Sequence, residues 1–338
     1  MLIGHIEQSA AFREAVVSGR LHHAWLLAGP RGIGKAHFAR TAAAWLLARA
    51  AYGDVDDKDF AIDPGHPTAR LLAAGSHIDF RVVELQENPK TNKMRPGIAV
   101  DQFVKADTSI GEPLASIFRT RPALSDWRVI VIDSVDDLNR NAANAFLKHL
   151  EEPPSNTLFL AVSHAPSRLL PTLRSRCRTL RFHPLGDDDV EAVLATKLIG
   201  APIEVVQALR EVAGGSPGRA VRLAEADIAG LQSVLESLSR STPGEGIPQA
   251  LALARSLASK AATARYEAFL DLVPAFLARS AHNFAGMRLG HAIGLWETAS
   301  TLAASAILLS LDPQSVTFRL AGLVTELSLV RSGRHEVV

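Results

Sequence analysis

Gly29-Pro30-Arg31-Gly32-Ile33-Gly34-Lys35 is the stretch whose reading decides the fold. It follows Ala24–Ala28 (AWLLA), a short apolar run with the character of a buried strand, and it opens an Ala/Leu-rich segment that reads as a helix to about Arg49. A strand, a glycine-rich loop ending in lysine and a helix form the setting of a P-loop. Gly29, Gly32 and Gly34 let backbone N–H groups converge on phosphate oxygens, and Lys35 is expected to reach the β- and γ-phosphates. Position 36 departs from the motif. A P-loop places Ser or Thr there as a magnesium ligand, and this chain has Ala36. Losing one bond of that kind costs roughly 1.5–3 kcal/mol, about a 10- to 150-fold penalty. Phosphate binding survives such a loss better than metal-assisted hydrolysis does.

Working outward, Arg128–Asp133 (RVIVID) is a continuous β-branched run of the kind buried in parallel sheets. Asp133 at its end is the natural Walker B aspartate, placed to hold magnesium. Motor ATPases follow it with a water-orienting glutamate; here Ser134 follows, and a serine cannot act as a base at neutral pH. Asp136 and Asp137 read as the start of a helix, where acids are favoured. Asn141–Glu151 reads as a helix stopped by Pro153 and Pro154, and Thr157–Ser163 (TLFLAVS) as a further buried strand. Alternating strands and helices predict an α/β domain with a parallel sheet.

Beyond Pro184 the pattern turns helical. Asp187–Ile199 opens with acids, 214–218 (GGSPG) is a turn, and Leu231, Val234, Leu235 and Leu238 have helical spacing. Asp312-Pro313 reads as an N-cap with a first-turn proline. The helix after it carries Leu320, Leu323, Val324 and Leu327 on one stripe. The expected organisation is α/β plus all-α: residues 1–184 a P-loop parallel-sheet domain, 185–225 a small helical lid domain, 226–338 a C-terminal helical domain. Asp54–Asp59 reads as a solvated loop and the tail after Arg331 as frayed.

Composition limits the function classes. The chain has 338 residues, 47% hydrophobic and 21% charged, with net charge +1. That balance argues against a strongly basic nucleic-acid binder. No run approaches the roughly 18 apolar residues of a membrane span, and the N-terminal residues carry no secretory pattern. A single cysteine, Cys177, excludes an internal disulfide and a four-cysteine zinc site. A cytoplasmic setting is expected.

Three further stretches carry a family resemblance. Residues 21–27 (LHHAWLL), 144–154 (NAFLKHLEEPP) and 173–177 (LRSRC) occur in the order seen in clamp-loader subunits of the AAA+ class. The resemblance covers roughly residues 1–225, and the helical remainder suits that family's collar domain. Within the family, Ala36 and Ser134 resemble the non-hydrolysing members. The resemblance implies a subunit of a DNA-polymerase clamp loader that sits beside motor ATPase and delta-type subunits in a hetero-pentameric ring. Through that complex it would meet a sliding clamp and primed DNA. It implies that Arg176 is an arginine finger offered to a neighbour's ATP, a task suited to a permanently charged guanidinium fork. It also implies that Ser163 stands at the sensor-1 position, and that the sensor-2 arginine would align at Gly218 rather than Arg219. Collar helices would hold the ring together through apolar stripes. Many relatives carry a cysteine-bound zinc module after the P-loop helix; here 63–80 replaces it, with His66 and His77 read as exposed loop residues, and no metal is expected. No cofactor is required, although residual ATP, ADP or phosphate binding at the P-loop is consistent with Lys35. The alternatives are a hydrolysing motor subunit and a degenerate AAA+ scaffold outside replication.

Overall fold

The structure is a computed structural model and describes residues 2–332 apart from 54, 56–59, 61, 89–92, 106–111, 226–227, 260–261 and 310. The charged stretch Asp54–Asp59, save Val55, and the tail from 333 lie outside the described residues. The chain divides into two compact units, Met1–Thr196 with Ala213–Gly218, and Lys197–Val212 with Arg219–Val338.

The first unit is built on strands β1 (Ala24–Ala28), β2 (Phe80–Glu84), β5 (Arg128–Asp133), β6 (Thr157–Ser163) and β7 (Arg178–Arg181); a short hairpin, β3 (Glu87–Asn88) and β4 (Lys93–Met94), stands apart. The five strands pair in parallel in the order β2-β5-β6-β1-β7. Helices α1 (Ile6–Val17), α2 (Lys35–Tyr52), α3 (Pro67–Ala73), α4 (Leu114–Ile117), α5 (Arg140–Glu151) and α6 (Pro171–Ser175) belong to this unit. The continuous apolar runs are explained by burial on both faces of the sheet. Trp25, Leu27, Val129, Val131, Leu158 and Leu160 pack to one side with Phe38 and Trp45 of α2. Leu26, Ile130, Ile132, Phe159 and Ala161 pack to the other with Phe146 of α5. This is the parallel P-loop sheet of the AAA+ class that the sequence predicts.

The remaining helices are α7 (Asp187–Lys197), α8 (Ile203–Ala213), α9 (Pro217–Glu225), α10 (Ile228–Arg240), α11 (Pro243–Leu257), α12 (Thr263–Ala281), α13 (Gly286–Leu308) and α14 (Pro313–Ser332). In the second unit α14 packs against α10, α11, α12 and α13. Its N-cap is the expected one: Asp312 Oδ2 accepts from the Ser315 N–H at 2.8 Å. The four apolar residues of the expected stripe are all buried. Val316, Ala321 and Val330 are buried along with Leu320, Leu323, Val324 and Leu327, because α14 is the central helix of its bundle. These residues fill the unit's own core, so they are not a stripe free to hold neighbouring subunits. No described helix is long and apolar enough to cross a membrane.

Candidate nucleotide-type site

The P-loop leaves the end of β1, the strand flanked by β6 and β7. Its glycines are there for specific reasons. A Cβ on Gly29 would lie 2.4 Å from the Phe182 carbonyl oxygen, so no side chain fits. Gly32 and Gly34 have φ of 80° and 102°, the left-handed region that favours glycine. Five successive carbonyls of the loop accept hydrogen bonds from the unit's own donors. Lys35 Nζ donates to Gly29 O at 2.7 Å and to Pro30 O. Ser216 Oγ donates to Arg31 O at 3.0 Å, and the Gly218 N–H to Gly32 O at 2.9 Å. The His5 ring nitrogen Nε2 donates to Ile33 O at 2.7 Å. The loop is thus fastened from α1, from its own lysine and from the 214–218 turn.

Lys35 is almost fully buried. Burial pushes its ammonium down to about 8, and the charges of Asp136 and Asp133 oppose that shift. To reach a phosphate, the ammonium must leave the two carbonyls that hold it. Asp133 ends β5 with its carboxyl raised by burial; the Arg40 guanidinium opposes the rise. Arg40 itself pairs at 3.0 Å with Glu84, the register neighbour of Asp133 on β2.

The acids after Asp133 do more than begin a helix, and that reading is corrected. Val135–Asp137 forms a single 3-10 turn, and both carboxylates are committed. Asp136 Oδ1 accepts from Ser163 Oγ at 3.0 Å and from the Ala165 N–H at 3.1 Å, while Oδ2 accepts from the His164 N–H at 2.6 Å. Asp137 Oδ2 accepts from Ser134 Oγ at 2.9 Å. Asp136 therefore ties the end of β5 to the end of β6, and the fully buried Ser163 spends its hydroxyl on that tie. His164, beside it, is pushed down to about 4 by burial and by the Lys35 charge. His5, Asp136 and His164 were not singled out from sequence as site residues. Their partners lie about 27 to 29 residues away, beyond the reach of local pattern.

The position where the resemblance would place a sensor-2 arginine, Gly218, is closed. A Cβ on Gly218 would lie 2.9 Å from Gly32 O and 3.0 Å from its Cα, so a side chain there collides with the P-loop backbone. Arg219, one place along, donates to the Asp271 carbonyl at 3.0 Å within the second unit.

Arg176 lies elsewhere. It caps the C-terminus of α6 just before β7 begins, and β7 runs parallel to β1 with Arg178 beside Trp25. It therefore stands at the starting edge of the sheet, whereas the P-loop follows the finishing edge. Its NH2 pairs with Glu151 Oε1 at 2.7 Å and its NH1 donates to Thr172 O at 3.0 Å. Cys177 packs against the α5 side of the core, and burial pushes its thiol up to about 12. That suits a packing residue and not a nucleophile.

The histidines of 63–80 are not exposed loop residues. His66 is the half-buried N-cap of α3, accepting from the Thr68 N–H, and His77 is buried and accepts from the Asp79 N–H. No group of His, Cys, Asp or Glu among the described residues is arranged to hold a metal ion.

A five-stranded parallel sheet with a P-loop after β1, an aspartate ending β5 and a helical second unit define a P-loop protein of the AAA+ class. Comparison with known proteins agrees and goes further. The family described as "DNA polymerase III, delta subunit" matches residues 4–186, more than half of the chain. The chain belongs to that family. It is 37% identical over 203 residues to DNA polymerase III subunit delta' of Pseudomonas aeruginosa, covering 60% of this chain and 55% of that protein. It is 28% identical over 228 residues to the Escherichia coli delta' subunit, covering 67% and 62%. To the DNA polymerase III subunit gamma of Buchnera aphidicola it is 30% identical over 172 residues, covering 51% and 41%. The chain thus spans about half the length of the curated relatives it matches.

Proposed function

We propose that this chain is a non-hydrolysing, delta-prime-like subunit of a DNA polymerase III clamp loader, which helps place a sliding clamp on primed DNA. Family membership and the delta' relatives support the setting. The observation that carries the non-hydrolysing reading is the commitment of the acids after Asp133. Asp136 accepts from three donors at the end of β6, and Asp137 accepts from Ser134, the residue standing where a motor has its glutamate. The position directly after Asp133 thus carries a serine, which cannot take a proton from water at neutral pH. Ala36 removes a magnesium ligand, and the closed position at Gly218 removes a sensor-2 arginine.

In this reading no cofactor or zinc is required. The P-loop at Gly29, Gly32, Gly34 and Lys35 retains at most the capacity to hold a phosphate, ATP or ADP, with Asp133 and Ser163 as remnants of a working site. The partners are motor ATPase and delta-type subunits in a hetero-pentameric cytoplasmic ring, with residues 185–225 as lid and 226–338 as collar. Arg176 contributes catalysis in trans, as an arginine finger on a neighbour's ATP. Its position at the opposite sheet edge from the chain's own P-loop supports that division of labour.

The test is reconstitution. The isolated chain turns over ATP at background rate. In the assembled loader, Arg176→Ala lowers DNA-stimulated turnover by at least about tenfold, within the range an arginine finger supplies. Normal turnover and clamp loading by that variant would remove the finger from the reading. Robust hydrolysis by the isolated chain would remove the non-hydrolysing assignment.

A further inference from the structure

We propose that Glu151 is a positioning residue that parks Arg176 and competes with phosphate for it. The inference rests on the arginine-finger reading above. Glu151 is the last residue of α5, and Pro153 and Pro154 fix where that helix stops. Its carboxylate meets the Arg176 guanidinium at 2.7 Å, and α5 packs against α6, the helix that Arg176 caps. The negative end of α5 adds to the attraction. The other terminal nitrogen donates to Thr172 O, one turn back along α6. Both terminal nitrogens of the fork are therefore engaged within the chain. Both partners are nonetheless accessible, with 36% of the Arg176 side chain and 49% of the Glu151 side chain exposed.

A guanidinium with both ends occupied cannot grip a phosphate bidentately without giving up one of them. The contact it gives up is the one to Glu151, because the carboxylate would otherwise lie beside the incoming phosphate, like charge against like. The pair thus holds the finger folded back until a neighbour's triphosphate outcompetes it, and sets a threshold for trans activation. An exposed ion pair contributes only a little, so the threshold is worth about two- to fivefold in rate.

Four versions of the chain, each reconstituted into the full loader, test this: wild type, Glu151→Gln, Arg176→Ala and the double variant. Single-turnover ATP hydrolysis is measured without DNA, with gel filtration confirming equal assembly. Glu151→Gln is expected to hydrolyse about two- to fivefold faster at unchanged KM. The double variant is expected to match Arg176→Ala, because the effect of Glu151 runs only through the finger. Glu151→Ala provides a second loss of the carboxylate and is expected to behave like Glu151→Gln. Unchanged or slower hydrolysis in both Glu151 variants overturns the parking role, as does an acceleration that persists when Arg176 is absent. If Arg176→Ala has no effect in any background, the finger reading fails and parking falls with it.

Discussion

Replacing Asp136 by Asn changes one atom and conflicts with the hydrogen bonding at the end of β6. The carboxylate accepts three hydrogen bonds, two on Oδ1 and one on Oδ2. An asparagine has one acceptor oxygen. Its best placement keeps the Ser163 and Ala165 donors and turns the NH2 group toward the His164 N–H, donor against donor at 2.6 Å. One hydrogen bond to a charged group is lost, worth about 1.5–3 kcal/mol, and two others fall to neutral strength. Discounting for the half-buried setting, the first unit loses about 2–4 kcal/mol. In a unit of this size that lowers the melting temperature by roughly 5–15 °C. Asp137→Asn is the control. Asp137 receives one side-chain donor, Ser134 Oγ, and an asparagine oxygen can take its place, so the cost stays below about 1 kcal/mol. Trp25, Trp45 and Trp127 lie in the first unit and Trp296 in the second. In a Trp296→Phe background, fluorescence-monitored unfolding therefore reports on the first unit. Equal shifts for the two variants, or a shift below about 1 kcal/mol for Asp136→Asn, would refute the assignment of Asp136 as the tie between β5 and β6.

Three further outcomes follow from the same geometry. His164 is held near 4 against an ordinary value of 6.5, so between those values the unfolded chain binds the extra proton. The stability His164 contributes is complete above pH 6.5 and is lost as the pH falls toward 4; thermal melts from pH 7 to 4.5 should fall less steeply for His164→Gln than for wild type, and parallel curves would contradict this. Gly218→Ala should destabilise the first unit by about 1–3 kcal/mol, because its Cβ meets the Gly32 backbone, whereas Gly294→Ala, in open space on α13, should stabilise by about 0.5–1 kcal/mol; urea titration separates the two signs. Asp312→Ala removes an acceptor for both the N–H and the hydroxyl of Ser315 and should cost about 1 kcal/mol of helix-cap stability, read as an earlier loss of far-ultraviolet dichroism.

What was legible in the sequence follows from where each element sits in the sheet. β1, β5 and β6 form its interior, and burial on both faces writes them as unbroken apolar runs. β2 (FRVVE) and β7 (RTLR) were not read as strands. They are the two edges of the sheet, short and interrupted by charged residues, and only pairing with β5 and β1 makes them strands. The loop glycines and Lys35 were legible because their chemistry is local. The contacts of Asp136 and His5 and the Arg176–Glu151 pair were not, since each joins residues 25 to 29 apart in sequence. The stripe on α14 was legible as apolar, but periodicity cannot say whether its partner is another helix of the same unit or another subunit.

The P-loop has its ordinary shape although Ala36 and Ser134 depart from the motif, and the hydrogen bonds explain why. In a P-loop the glycines serve the approach of backbone N–H groups to phosphate. Here the glycines answer to a different demand. Gly29 must admit the Phe182 carbonyl, and Gly32 must lie against Gly218. The carbonyls from Gly29 to Ile33 bind α1, Lys35 and the 214–218 turn to one another. That packing holds the loop in shape whether or not a phosphate enters it. On the non-hydrolysing reading proposed above, Ala36→Thr is therefore not expected to give hydrolysis by the isolated chain. The water-orienting glutamate would still be missing, and any arginine placed at 218 would still strike Gly32.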